Sequence, residues 1–197
     1  MRIRKTTETD AEAVAELRIA GWRHAYEGLM PQPYLNAMDP AADAARHRAR
    51  LASPGADTWD LVAENERGEV IGWTAGGPYR DGERRTADAE IYTLYVRPDV
   101  IGTGIGRELT AGVHERVRMS EAPGLYVWVV EGNARACRFY ERAGFAADGA
   151  REEFDAGGRT LTDLRYVLAP LGHGIRRHAA GCASLPPAFK KERWRGH

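Results

Sequence analysis

Leu94-Tyr95-Val96-Arg97-Pro98-Asp99-Val100-Ile101-Gly102-Thr103-Gly104-Ile105-Gly106-Arg107 carries a strand into a glycine-rich turn and then directly into a helix. Ala89–Arg97 is rich in β-branched and aromatic residues, as strands are, and Pro98 stops it. Glycines tolerate positive φ and let a backbone approach a ligand closely. Free amides at the start of the following helix make an anion site suited to a pyrophosphate. Two familiar phosphate loops fail on spacing. A P-loop needs Lys-Ser/Thr after its last glycine, but Gly106 precedes Arg107-Glu108. A dinucleotide fingerprint needs a third glycine where Arg107 or Leu109 stands. On this segment alone, a pyrophosphate-binding turn and a bare strand-to-helix turn both stay open.

Downstream, Gly104–Met119 reads as a helix, with Ile105, Leu109, Val113 and Val117 at four-residue steps. Leu125–Val130 is continuously apolar, like a strand buried on both faces. Asn133–Ala143 reads as a helix closed by Gly144, a left-handed cap. Phe145–Ala147 and Arg159–Leu168 read as the last two strands. Upstream, Met1–Lys5 reads as a strand. Thr9 and Glu12 have capping-box spacing before a helix that carries Val14, Leu17, Gly21, Trp22 and Ala25 on one face. Gly28 and Pro31 break that helix, and Asp39-Pro40 starts another through about Leu51. Trp59–Glu64 and Val70–Gly76 read as a hairpin, and Gly77–Asp88 as a polar loop. The order β-α-α-β-β-β-α-β-α-β-β implies an α/β fold, a mixed sheet with helices on both faces.

The chain has 197 residues, enough for one domain with a hydrophobic core that needs no disulfides. Its two cysteines, Cys137 and Cys182, suggest no disulfide framework, so a cytoplasmic location is expected. The first residues lack the apolar stretch of a signal peptide, and no segment approaches a membrane span. Formal charge is zero but uneven. Residues 171–197 hold six basic side chains and Glu192; taken from 28 basic and 28 acidic residues, they leave 22 and 27 in the body. A mildly acidic body argues against nucleic acid and suits a cationic amine. The division expected is a domain over 1–170 and a basic, poorly ordered tail over 171–197. His173, His178 and Cys182 lack the paired spacing of a zinc site, so no metal is expected.

A second motif stands out: Asn133-Ala134-Arg135-Ala136-Cys137-Arg138-Phe139-Tyr140-Glu141-Arg142-Ala143-Gly144-Phe145. It resembles a signature of the GNAT superfamily of N-acetyltransferases: Asn, two residues, Ala, two residues, an apolar residue, Tyr, three residues, Gly-Phe. Every one of these positions matches. The glycine turn resembles the family's other motif, in which Gln or Arg is followed after two residues by Gly, one residue, then Gly or Ala. Gly104 and Gly106 match its glycines, while Ile101 occupies the Gln/Arg position. The likeness extends more loosely over about residues 1–168.

This resemblance implies a central sheet of about six or seven strands, splayed between the fourth and fifth. It implies acetyl-CoA as cosubstrate, held by Leu94, Tyr95 and Val96, by the turn Gly102, Thr103, Gly104, Ile105, Gly106 and Arg107, and by Asn133. Arg135 and Arg138 could reach its phosphates. The Val96 amide would face the thioester oxygen. Asn133 would touch the pantetheine arm or simply cap its helix. Tyr140 would protonate the departing thiolate; otherwise it is a core aromatic. Glu90 would take the amine proton directly or through water, with Glu131 or water alone as rivals. Trp22 and Tyr26 would contact the acceptor or belong to the core. The implied function is transfer of an acetyl group to a primary amine of a small molecule, amino acid or peptide N-terminus. The alternative is a non-catalytic acyl-CoA-binding module. Oligomeric state stays open, a homodimer included.

Overall fold

The computed structural model describes residues 1–81 and 84–168. The basic tail, with His173, His178 and Cys182, lies outside the described residues. Seven strands form one sheet in the order β1-β2-β3-β4-β5-β7-β6. They are β1 Arg2–Lys5, β2 Trp59–Glu64, β3 Val70–Asp81, β4 Arg84–Val96, β5 Leu125–Val130, β6 Ala146–Ala156 and β7 Arg159–Leu168. The helices are α1 Ala11–Ala25, α2 Gln32–Asn36, α3 Pro40–Ala52, α4 Ile105–Met119 and α5 Ala134–Arg142. All neighbouring strands pair antiparallel except β4 and β5, which are parallel.

Helices α4 and α5 cover one face. Ile105, Leu109 and Val113 of α4 pack on Ile91, Val127, Val129 and Tyr166. Leu109 and Val113 are fully buried, each contributing roughly 1.5–3 kcal/mol of hydrophobic stabilisation. On the other face, Val14 and Leu17 of α1 meet Val62, Trp73 and Ala75. Further along, Trp22, Tyr26, Met30 and Leu35 pack against Val130, Phe154 and Leu161.

Four local differences from the sequence reading have physical causes. The capping box before α1 uses Thr7 and Asp10, with the Thr7 amide donating to the Asp10 carboxylate at 2.8 Å. Arg4 fixes that carboxylate with two further bonds. Segment 77–88, read as a loop, belongs largely to β3 and β4, which pair with each other from Gly77↔Glu90 to Asp81↔Arg84. Such a ladder satisfies the backbone without apolar side chains, so composition did not reveal it. Strand β6 runs to Ala156, past a register shift between Ala147 and Arg151 where Gly149 has φ +90°. It is an exposed edge strand, and its polar sequence hid it. Helix α2 is a single short turn after Pro31.

Strands β4 and β5 pair only at Ala89↔Leu125, Glu90↔Tyr126 and Ile91↔Val127, and then part. The cause is in β4. Ala75 of β3 faces Thr93 while its neighbour Gly76 faces Ile91, so Tyr92 is an extra residue, a β-bulge. The bulge changes the parity of the strand. Ala89 and Ile91 pack toward α4, and beyond the bulge so do Leu94 and Val96.

Candidate active site

The parting of β4 from β5 opens a cavity of about 570 Å³. Its walls are Tyr92–Val96 of β4 and Val127–Val130 of β5, capped by the glycine turn, the start of α5 and the end of α1. Beyond Ile91, the β5-facing edge of β4 has no strand partner, leaving peptide groups available to a ligand.

The glycine turn closes one end. Gly102 and Gly104 have φ +92° and +96°, conformations that L side chains rarely adopt. Gly104 is the N-cap of α4, and the first intrahelical bond runs from the Glu108 amide to the Gly104 carbonyl. The amides of Ile105, Gly106 and Arg107 therefore have no intrahelical acceptor, which is the geometry of an anion cradle.

Helix α5 supplies the other motif. The Asn133 side chain accepts from the Ala136 amide at 3.1 Å, so it caps α5 while lining the cavity. Two turns on, Tyr140 also lines it and is 6% exposed. Its ring packs edge-on against both Phe139 and Phe145. Burial, with a smaller contribution from Tyr95, pushes the Tyr140 phenol well above its ordinary range, so it holds its proton at neutral pH. Burial raises the phenols of both Tyr26 and Tyr95.

Most residues singled out from sequence converge here. Leu94, Tyr95, Val96, Gly102, Gly104, Gly106, Arg107, Asn133, Tyr140 and Tyr26 all line the cavity. Thr103 and Ile105 do not; Ile105 turns its side chain into the core. Arg135 lines the cavity and contacts His24 at 3.1 Å, whereas Arg138 is exposed and outside the lining. Trp22 is a core residue at 4% exposure. Its turn of α1 reaches the cavity through Gly21, His24 and Ala25 instead.

Glu90 departs furthest from expectation. It is 2% exposed and not among the lining residues. Its Oε2 accepts from the Arg80 amide at 3.0 Å and its Oε1 from the Arg80 guanidinium at 3.0 Å. Both oxygens are thus engaged on the β3 side. Glu131 is also outside the lining and is paired with Arg151 at 2.6 Å. Among the described residues, no carboxylate lines the cavity.

Sequence reasoning missed three contributors. Tyr92 is the bulge residue; its hydroxyl donates to the Pro78 carbonyl and the Arg80 guanidinium lies 3.6 Å from its ring centroid. Phe139 occupies only an unspecified apolar position of its motif. Gly21 was legible as a glycine inside a helix: a Cβ there would come within 2.7 Å of the Tyr95 ring.

A seven-stranded mixed sheet, parted beside a parallel pair and closed by a helix-starting glycine turn, is an acetyltransferase fold. The model of the acetyltransferase (GNAT) family matches residues 20–145, and the chain belongs to that family. The chain is 28% identical over 131 residues to the N-acetyltransferase YuaI of Bacillus subtilis, covering 66% of this chain and 72% of that protein. It is 37% identical over 112 residues to the L-methionine sulfoximine/L-methionine sulfone acetyltransferase of Pseudomonas aeruginosa, covering 54% of this chain and 62% of the relative. In structure it resembles the ribosomal-protein-alanine N-acetyltransferase of Brucella melitensis, with TM-score 0.67, 25% identity, 86% of this chain and 100% of that one. It also resembles yncA of Salmonella typhimurium, solved with acetyl-CoA, with TM-score 0.66, 22% identity and coverage of 92% and 99%.

Among the described residues, no helix is long and apolar enough to cross a membrane. Nor does any group of three or more His, Cys, Asp or Glu side chains stand ready to hold a metal.

Proposed function

We propose that this chain is an N-acetyltransferase that moves an acetyl group from acetyl-CoA to a primary amine by direct attack. The observation that carries this reading is the cavity itself, with unpaired β4 edge, helix-start amides and the buried Tyr140 hydroxyl converging on one space. The residues fit the cosubstrate. The amides of Ile105–Arg107 suit its pyrophosphate, and the open edge of β4 suits the amide groups of a pantetheine arm.

Acetyl-CoA supplies an activated thioester. The Val96 amide faces the negative charge that develops on the carbonyl oxygen as the amine nitrogen bonds to carbon. Tyr140 donates its proton to sulfur as the carbon–sulfur bond breaks. With no carboxylate on the cavity wall, water takes the amine proton, and the acceptor enters reactive only in its neutral form. Acceptors in reach of this reading are small-molecule amines, amino acids and peptide N-termini. The relative named for L-methionine sulfoximine and L-methionine sulfone and the structural neighbour named for a ribosomal-protein alanine support that range.

The missing carboxylate also favours a second reading, an acyl-CoA-binding module without turnover. An acetyl-CoA assay over an amine library, detecting free thiol, separates the two. Thiol release with at least one amine supports the enzyme. Calorimetric binding with no release across the library supports the module.

A further inference from the structure

A second cavity, of about 40 Å³, lies away from the acyl-CoA site between α1 and α3. It is lined by Val14, Ala15, Arg18, Asp43, Arg46, His47, Arg50 and Trp73. Three guanidinium groups therefore surround a space that holds roughly three water-sized bodies, at about 10–15 Å³ each.

Two carboxylates answer those three cations. Asp43 accepts from Arg18 at 2.5 Å and is also paired with Arg46. Asp60, behind the cavity, accepts from Arg50 at 2.6 Å and from the Trp73 indole at 2.6 Å. Nearby acids do not alter this balance, because Asp10 is clamped by Arg4 and Glu12 is paired with Arg48. Burial holds the His47 pKa down at about 4, so this imidazole is neutral near pH 7. The cluster then carries one uncompensated positive charge.

Its hydrogen bonding is incomplete in the same sense. A guanidinium has five N–H donors, yet each of these arginines bonds through a single nitrogen. Arg18 is only 8% exposed, and its guanidinium stands 5.0 Å from the centroid of the Trp22 ring. The His47 Nδ1 lies 2.6 Å from the Arg50 guanidinium and accepts from it, which leaves Nε2 carrying the proton. That Nε2 is buried without a hydrogen-bond partner, 3.8 Å from the nearest Asp60 oxygen. An unspent donor, surplus donors on buried guanidinium and a net positive charge all ask for the same complement.

We infer that this cavity is a binding site for one small monovalent anion, a halide or an oxyanion of formate size, held by Arg18, Arg46, Arg50 and His47. Entry is from the surface past Arg46, whose side chain is 54% exposed. The volume excludes a nucleotide or a sugar phosphate. Occupancy ties α1 to α3 and stabilises the folded chain in proportion to the anion present.

Bromide is the probe. Crystals of the full chain soaked in sodium bromide should show an anomalous peak in the cavity. In solution, replacing sodium gluconate by sodium bromide at fixed ionic strength should raise the melting temperature saturably, by a few degrees. Arg46→Gln, at the rim, and His47→Phe, which removes the unpartnered Nε2 donor at similar bulk, should each abolish that rise. Absence of an anomalous peak means that only water fills the cavity and overturns the inference. So does a bromide response that is equal in the wild type and in whichever of the two variants folds.

Discussion

A Cβ built on Gly106 would stand 3.1 Å from Cε2 of Phe139. This contact joins the two motifs, the first turn of α4 and the middle of α5, at the wall of the cavity both residues line. Gly106 does not have a positive φ, so its value lies in space rather than conformation.

Substitution should grade with size. Gly106→Ala gains up to about 1 kcal/mol of helix propensity and loses a comparable amount to the contact, leaving stability nearly unchanged. Gly106→Val should cost roughly 1–3 kcal/mol and weaken acetyl-CoA binding at least about tenfold, because Phe139 must move into the cavity. Calorimetry and thermal melts read both. Wild-type affinity and melting temperature in Gly106→Val would show that the contact is slack.

Tyr140→Phe should separate packing from chemistry. The ring stays between Phe139 and Phe145, so stability and acetyl-CoA affinity should hold. The chemical step should slow by about 10²–10⁴-fold through loss of the proton donor. Single-turnover measurements with an identified acceptor are the check; an undiminished rate would return Tyr140 to the status of a core aromatic.

Glu90→Gln should behave as a structural lesion. It removes one charge of a pair in which Glu90 is 2% and Arg80 25% exposed. Breaking a fully buried pair costs about 3–5 kcal/mol; partial exposure of Arg80 brings this to roughly 1–3 kcal/mol, or several degrees of melting temperature. The rise of kcat/KM with pH should follow the acceptor's own amine in both proteins. Should that limb vanish in Glu90→Gln alone, Glu90 is the base.

Acid should weaken the fold in two stages. His47, held to about 4 by burial, takes a proton more readily when unfolded, where its ordinary value is 6.5. Stability is thus fully present above pH 6.5 and declines as pH falls toward 4. His114, also lowered by burial, adds in the same direction. Asp10, lowered from 3.8 to about 2 chiefly by its bond to Arg4, contributes stability that is lost only as pH falls through that lower window. Denaturant midpoints at pH 7, 5.5 and 4.5 should drop for the wild type and drop less for His47→Gln. Parallel curves would remove His47 from this account.

Much of this was legible because strong patterns coincide with strong physical demands. Trp59–Glu64 and Leu125–Val130 are strands at the expected bounds, since buried strands must be largely apolar, and Arg159–Leu168 is a strand at the expected bounds although its burial is mixed. The parting of β4 from β5 came through family resemblance, and its cause did not: a bulge at Tyr92 leaves no compositional mark. Glu90 and Trp22 illustrate a different limit. Both lie where the site was expected, but whether a side chain faces a cavity or a neighbour depends on partners far away in sequence. Arg80 took the first, and the packing of α1 took the second.

The Tyr92 bulge has a consequence for how this chain tolerates change. A pleated strand is read in steps of two, and one inserted residue acts like a frameshift within it. Without it, Leu94 and Val96 would swap sides with Tyr95, turning a phenol into the apolar layer under α4. The side chain at position 92 has its own partners in Pro78 and Arg80, but the parity of the strand depends only on a residue being there. Chain length between Ile91 and Leu94 is itself a functional quantity, one that no substitution scan would register and a single-residue deletion would expose at once.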